Sequence, residues 1–212
     1  MDADLENRRR FAMEVFKAGH PYVRPRRIAM CSPTDNQIEF FFKDPAEAPV
    51  RPGDNSTLYL LRRDVNDCIP QNRCLFLGVM GILAGVDLIA KFLAGQDGGG
   101  LGSRFKRFLR DYFPPLNPGE DETLYQLRNS LLHSFGLYSR SRSGRDFHFL
   151  VTPRGANLLE DAGQDTFLVG VNPLHERFET AVNKFAGDVR TRDDLKNNFG
   201  LMFSKYGSIH VS

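Results

Sequence analysis

The stretch LFLGVMGILAGVDLIAKFLAG, residues 75–95, decides how the chain is read. Its uncharged part ends at Val86, because Asp87 and Lys91 follow. A spanning helix needs about 20 largely uncharged residues, and this run falls short of that. It is therefore expected to be a buried core helix over residues 71–95, with no membrane association. Gly78, Gly81 and Gly85 recur along it and would let a neighbouring backbone approach closely. Asp87 is its only acid. One reading pairs Asp87 with Lys91 one turn on, worth a few tenths of a kcal/mol. The other has it facing a buried cation elsewhere.

The chain around this helix has 212 residues, enough for one sizeable core. With 41% hydrophobic and 25% charged residues, the composition is that of an ordinary globular protein. Formal net charge is +2, so any case for nucleic-acid binding must rest on local clusters. Cys31, Cys68 and Cys74 form no C-x-x-C pair, and their spacing suggests neither a zinc site nor a redox pair. No cofactor is expected. The opening MDADLENRRRFAMEVF is charged from the start, unlike a signal peptide, so a reducing cytoplasmic setting is expected.

Outward from the apolar helix the pattern predicts a mainly α protein. A helix over residues 4–18 is closed by Gly19, and HPYVRPRR is extended because of its prolines. QIEFFF (37–42) and STLYLL (56–61) have aromatic, β-rich character and are read as two strands joined by the turn-rich DPAEAPVRPGDN. After GQDGGGLGS, a helix is expected to restart with Ser103 as its N-cap and to end at PPLNPG. Asp121 or Thr123 then caps the next helix, and Gly136 ends it. DFHFLV (146–151) and TFLVGV (166–171) read as further strands. Asn172 as cap and Pro173 at the first helical position start another helix, and a last one covers residues 192–204. One domain over 1–212 is expected, a helical bundle with a small β-sheet or hairpin additions near 37–61 and 146–171 and a helical part at 172–204.

One helix in this scheme carries an anomaly, LYQLRNSLLHSFGLY at residues 124–138. At about 100° per residue, Leu124, Leu131 and Phe135 point within roughly 60° of Arg128, so the cation points into the apolar stripe. Asn129 and His133 lie along the edge of the stripe. An uncompensated buried guanidinium is very costly, so Arg128 needs an acid, a ligand or a second subunit. The bland possibility is a structural Arg–carboxylate pair with a neutral His133 beside it.

RNSLLH fits R-N-x-x-x-H and resembles the signature helix of the HEPN superfamily. The resemblance implies a helical bundle that dimerises through the motif helix. It also implies a metal-independent endoribonuclease acting on single-stranded RNA, used as a toxin or defence protein with an antitoxin-like partner. Other members keep the fold as non-catalytic modules that bind a partner or nucleotide. By the match, His133 serves as general acid/base, Arg128 stabilises charge on the transition state, and Asn129 orients His133 or a phosphate oxygen. The chemistry is compatible. RNA cleavage through its own 2′-OH needs a group titrating near neutrality and a fixed cation, which His and Arg supply. A second copy would bring a second His133. Asp87 is then expected to hold the fork of Arg128 in place. If the site is an open cleft, Arg128→Ala should fold normally and be inactive.

Arg104, Lys106, Arg107 and Arg110 form the densest basic cluster and are the candidates for RNA backbone contacts. SRSGR (141–145), close behind the motif helix, is a flexible basic loop able to touch RNA. GQDGGGLGSRFK lacks the Lys-Ser/Thr ending of a phosphate loop and follows a helix. Tyr138 and His148 lack partners at catalytic spacing, and His175 is read as structural.

Overall fold

The structure, a computed structural model, describes residues 33–47, 54–70 and 74–210. The helix expected over 4–18 and the extended segment after it lie outside the described residues. The described chain runs α1 (Asp35–Phe41), β1 (Asp54–Ser56), α2 (Thr57–Cys68), α3 (Leu75–Ala94), α4 (Leu101–Tyr112) and α5 (Glu120–Ser134). It continues through β2 (Tyr138–Arg140), β3 (Asp146–Thr152), β4 (Leu159–Gly163), β5 (Thr166–Gly170), α6 (Val171–Thr191), α7 (Asp193–Tyr206) and β6 (Ser208–His210). It is a mainly α fold with small β additions, as its sequence predicts.

The apolar helix α3 is the axis of the fold. It packs against α2, α4, α5, α6 and α7. Val79, Ile82, Val86, Ile89 and Phe92 are fully buried along it. The glycines make room for neighbouring side chains and not, as expected, for a neighbouring backbone. A Cβ on Gly81 would meet Val65 at 2.7 Å, and one on Gly85 would meet the ring of Phe178 at 2.6 Å. The expectation that the helix is too short to span a membrane is corrected. At 20 residues and a mean hydropathy of 2.0, α3 is long and apolar enough by length and composition. Its role here is set by packing, with most of its side chains enclosed by the helices around it.

Two predicted strands are helices. QIEFFF belongs to α1, because Thr34 and Gln37 form a capping box in which each side chain accepts from the other's backbone N–H. Ile38 and Phe41, one turn apart, are the residues it buries. STLYLL opens α2. The Ser56 hydroxyl accepts from Tyr59 N at 2.9 Å and donates to the Phe41 carbonyl at 2.9 Å. Leu58, Tyr59, Arg62 and Val65 then face inward at helical spacing. Local capping and a 3.6-residue stripe override the β propensity of the aromatic residues.

The strands do not join into one sheet. β1 pairs antiparallel with β6 as a separate ribbon. β2, β3, β5 and β4 lie in that order, with β3 and β5 parallel and the outer pairs antiparallel. The inner face carries Phe147, Phe149, Phe167 and Val169, all buried. Three helix starts also differ from expectation. α4 begins at Leu101 after Gly100 in a left-handed conformation (φ 55°), so Ser103 lies inside it. α5 begins after Gly119 (φ 87°), with Glu120, Asp121 and Glu122 in its first turn, where carboxylates complement the helix dipole. α6 begins at Val171, and the Asn172 amide donates to the Pro153 carbonyl instead of capping. At its far end α5 stops near Gly136 as predicted, but Phe135 takes the left-handed conformation (φ 49°).

Candidate functional site

The contact of α3 with α5 brings the lone acid of one helix to the anomalous cation of the other. Arg128 Nε donates to Asp87 Oδ2 at 2.7 Å, and Nη2 lies 2.6 Å from the same oxygen. Arg128 Nη1 donates to Asn129 Oδ1 at 3.2 Å and contacts His133 Nε2 at 2.6 Å. A guanidinium has no acceptor, so His133 Nε2 accepts and its proton sits on Nδ1. All four residues singled out from the sequence therefore meet on one guanidinium. Asp87 does not take up Lys91 instead, since the Lys91 ammonium lies 4.2 Å over the ring of Tyr206.

Burial is graded across this group. Arg128 is 6% exposed. Asp87 and Asn129 are half-buried, and His133 is exposed at the end of the helix. Burial pushes the Asp87 carboxyl above its ordinary range, and the opposing pull of Arg128, Lys91 and Arg104 does not cancel it. Both guanidinium contacts fall on one carboxylate oxygen, so this is not the two-oxygen fork expected of an optimised structural pair. A small cleft of about 110 Å³ opens beside it, lined by Asp87, Ala90, Lys91, Leu101, Arg104 and Arg128. A larger cavity of about 910 Å³, along α1 with Phe40 and Phe203, includes none of these residues.

Three expectations for this helix change. Leu124, Leu127 and Leu131 are fully buried in the protomer's own core, so the stripe itself is not a free interface. Phe135 leaves the stripe and is 72% exposed, because the chain turns left-handed there. Arg128 borders only the small cleft of about 110 Å³, and its side chain is almost wholly enclosed.

The basic cluster of α4 is engaged within the fold. Arg104 is buried and donates to the carbonyls of Asp97, Gly98 and Gly99, tying down the glycine loop. Lys106 pairs with Glu122 and Arg110 with Asp121, each at 2.7 Å, and Arg107 lies 3.5 Å from Asp111. Arg107 and Arg110 keep more than half of their side chains in solvent, where such pairs are weak.

Other polar groups escaped the sequence reading. Arg62 is buried and bonds Glu179 and the carbonyls of Phe42 and Lys43. Nearby, His175 Nε2 lies 2.7 Å from Asn66 Oδ1, and burial lowers the His175 pKa. In this second cluster Arg62 is buried, while His175, Asn66 and Glu179 are half-buried. Tyr138 and His148 lie against each other, and the Tyr138 hydroxyl also donates to Asp146. They are paired across β2 and β3, with ring centroids 5.1 Å apart. Among the described residues no group of three or more His, Cys, Asp or Glu side chains is placed to hold a metal ion. Comparison with protein-family models, with curated proteins and with solved structures returned no match for this chain.

Proposed function

We propose that the chain is a metal-independent endoribonuclease of HEPN type that cleaves single-stranded RNA. The observation that carries this reading is the Arg128 guanidinium, held by Asp87 on one side and bonded to the exposed His133 on the other. A structural pair would need only the carboxylate. The added imidazole puts a proton-transfer group beside a fixed cation at the surface. In the reaction, the ribose 2′-oxygen forms a bond to the adjacent phosphorus and the bond from phosphorus to the 5′ oxygen breaks. One proton leaves the 2′-OH and another reaches the departing 5′ oxygen, giving a 2′,3′-cyclic phosphate and a 5′-OH. His133 exchanges a proton, Arg128 neutralises charge on the phosphorane-like transition state, and Asn129 keeps the imidazole or a phosphate oxygen in register.

One imidazole serves only half of this exchange at a time. A second copy, docked through the exposed end of α5 at Leu132 and Phe135, supplies the other half. A role as toxin or defence protein, restrained by an antitoxin-like partner, follows from such an activity. The test is incubation of fluorescent single-stranded RNA with excess chelator, followed by analysis of the product ends. Cyclic phosphate ends that disappear in His133→Ala support the reading, and cleavage that persists in that variant refutes it.

The second reading is a non-catalytic module of the same type. It is favoured by the saturation of Arg128, four of whose five N–H groups have partners: one on Nε, one on Nη2 and two on Nη1. Binding of RNA without turnover would select it.

A further inference from the structure

We infer that the outer face of the β2–β3 hairpin is a stacking platform for unpaired nucleobases of single-stranded RNA. This rests on the reading of Arg128 and His133 as a ribonuclease site and extends it by naming where the substrate lies beyond the cut.

The strand register makes the platform. Side chains alternate along β3, so the buried Phe147 and Phe149 face the core while His148 and Leu150 face outward. Tyr138 on β2 is the Cα partner of His148. Their rings lie 5.1 Å apart at 43°, and Tyr138 is 45% and Leu150 54% exposed. Two π faces and an apolar step thus lie side by side in solvent. The Tyr138 hydroxyl donates to Asp146 Oδ1 at 2.8 Å, and Arg140 holds both oxygens of that carboxylate. The ring is fixed by its polar end, which limits the entropy lost when a base stacks on it.

Charge selects the occupant and the half of the sheet. Arg140 lies two residues from Tyr138 on the same face of β2 and Arg142 is exposed in the turn, while Arg145 stacks over Phe147 and Phe167 of the inner face. Arg140 and Arg145 are paired with Asp146 and Asp165 at exposed positions, while Arg142 has no carboxylate partner among the described residues. The opposite edge, β4, carries Glu160 and Asp161. A polyanion is therefore drawn to β2 and β3 and repelled from β4. An oligonucleotide combines a backbone that needs cations with flat bases that need π faces.

The hairpin that bears the platform is tied to α5 through its other face, to which Ser139 points. The Ser139 hydroxyl donates to Gln126 Oε1 of α5 at 2.6 Å, and Phe149 N donates to the Leu137 carbonyl at 2.8 Å. Tyr138 follows His133 by 138 − 133 = 5 residues, which limits their Cα separation to about 18 Å. A strand cut at His133 thus reaches the hairpin within a few nucleotides.

The test uses the full chain carrying His133→Ala, so that RNA is bound and not cut. Fluorescence anisotropy follows an oligouridine of about 12 nucleotides, within the length one such surface takes. Tyr138→Ala and His148→Ala should each weaken binding by about 5- to 100-fold, the range for one base stacked on one aromatic ring. Tyr138→Phe should keep most of the affinity, and Arg142→Ala should lower the salt slope by about one. His148→Ala carries the test if Tyr138→Ala misfolds, since only Tyr138 bonds Asp146. Unchanged affinity in His148→Ala and in a folded Tyr138→Ala overturns the platform and leaves the ribonuclease reading in place. A parent chain that binds no oligonucleotide, as expected of a face built for a protein, overturns both. Weakened binding by the sheet variants of a chain whose wild type cuts nothing keeps the platform and removes catalysis.

Discussion

Arg128→Ala separates a buried ion pair from a hydrated one, and the structure sets its magnitude. Arg128 is 6% exposed and the Asp87 side chain 14%, so removing the cation leaves a carboxylate with little water around it. Breaking one side of a buried pair costs about 3–5 kcal/mol. Two features place this case near the lower end. Burial already pushes the Asp87 carboxyl up, so it neutralises more easily than an ordinary aspartate. The adjoining cleft of about 110 Å³ is lined by Lys91 and Arg104 as well as the pair, and is large enough to admit water to the orphaned group. The expected loss is therefore about 3 kcal/mol, or about 6–12 °C in melting temperature for a chain of this size. Circular dichroism melts and urea titrations read it directly. Adding Asp87→Leu should restore much of the loss, because the uncompensated charge is gone. A single variant within about 1 kcal/mol of wild type, or a double variant no better than the single, would show that water already solvates the pair. The variant that folds normally, expected for an open cleft, is thus not the outcome this burial predicts.

His133→Ala gives the complementary result. Its side chain is exposed, so stability should stay within about 0.5 kcal/mol, while ribonuclease activity falls by at least about 100-fold in the presence of chelator. Sedimentation should find a two-fold dimer at micromolar concentration, and Phe135→Asp should shift it to monomer; a monomeric wild type would remove the shared site. For Asp87 the folded pKa lies above the unfolded value, so its ionisation disfavours the fold at neutral pH and that penalty is relieved as pH falls through the folded pKa. The stability of wild type relative to Asp87→Asn should therefore rise between about pH 7 and pH 4, and a constant or falling difference would contradict the assignment.

The candidate site was legible because its parts are local. Arg128, Asn129 and His133 share one helix, and helical spacing alone sets their relative directions. Asp87 was legible as a partner because no other acid lies on the apolar helix. The errors arose where a short-range signal competed with a longer one. In QIEFFF the aromatic residues suggested a strand, but the capping pair Thr34 and Gln37 starts a helix whose buried face includes Phe41. In STLYLL the serine ends β1 and caps the helix that the remaining residues form. The pairing of Tyr138 with His148 was out of reach. It depends on the register set by the turn at residues 141–144, where a shift of one residue would send His148 to the other face. The capture of three loop carbonyls by Arg104 was equally hidden, since it depends on Gly99 and Gly100 adopting positive φ.

The saturation of Arg128 constrains how the proposed chemistry proceeds. Asp87 occupies Nε and Nη2 on the buried side, and no ligand reaches those atoms without displacing a half-buried carboxylate. Nη1 is occupied by Asn129 and by the exposed His133. A phosphate oxygen entering there competes with a neutral imidazole for the same N–H, and the anion forms the stronger, charge-assisted bond. His133, exposed and near the end of its helix, is the group free to move. On the proposed ribonuclease reading, its release from Arg128 would free Nε2 as the phosphate arrives, so that substrate binding would supply the proton acceptor. Asp87 then has a second role besides balancing charge. By holding Nε and Nη2 it leaves Nη1 as the position a phosphate would exchange into if the ribonuclease reading holds.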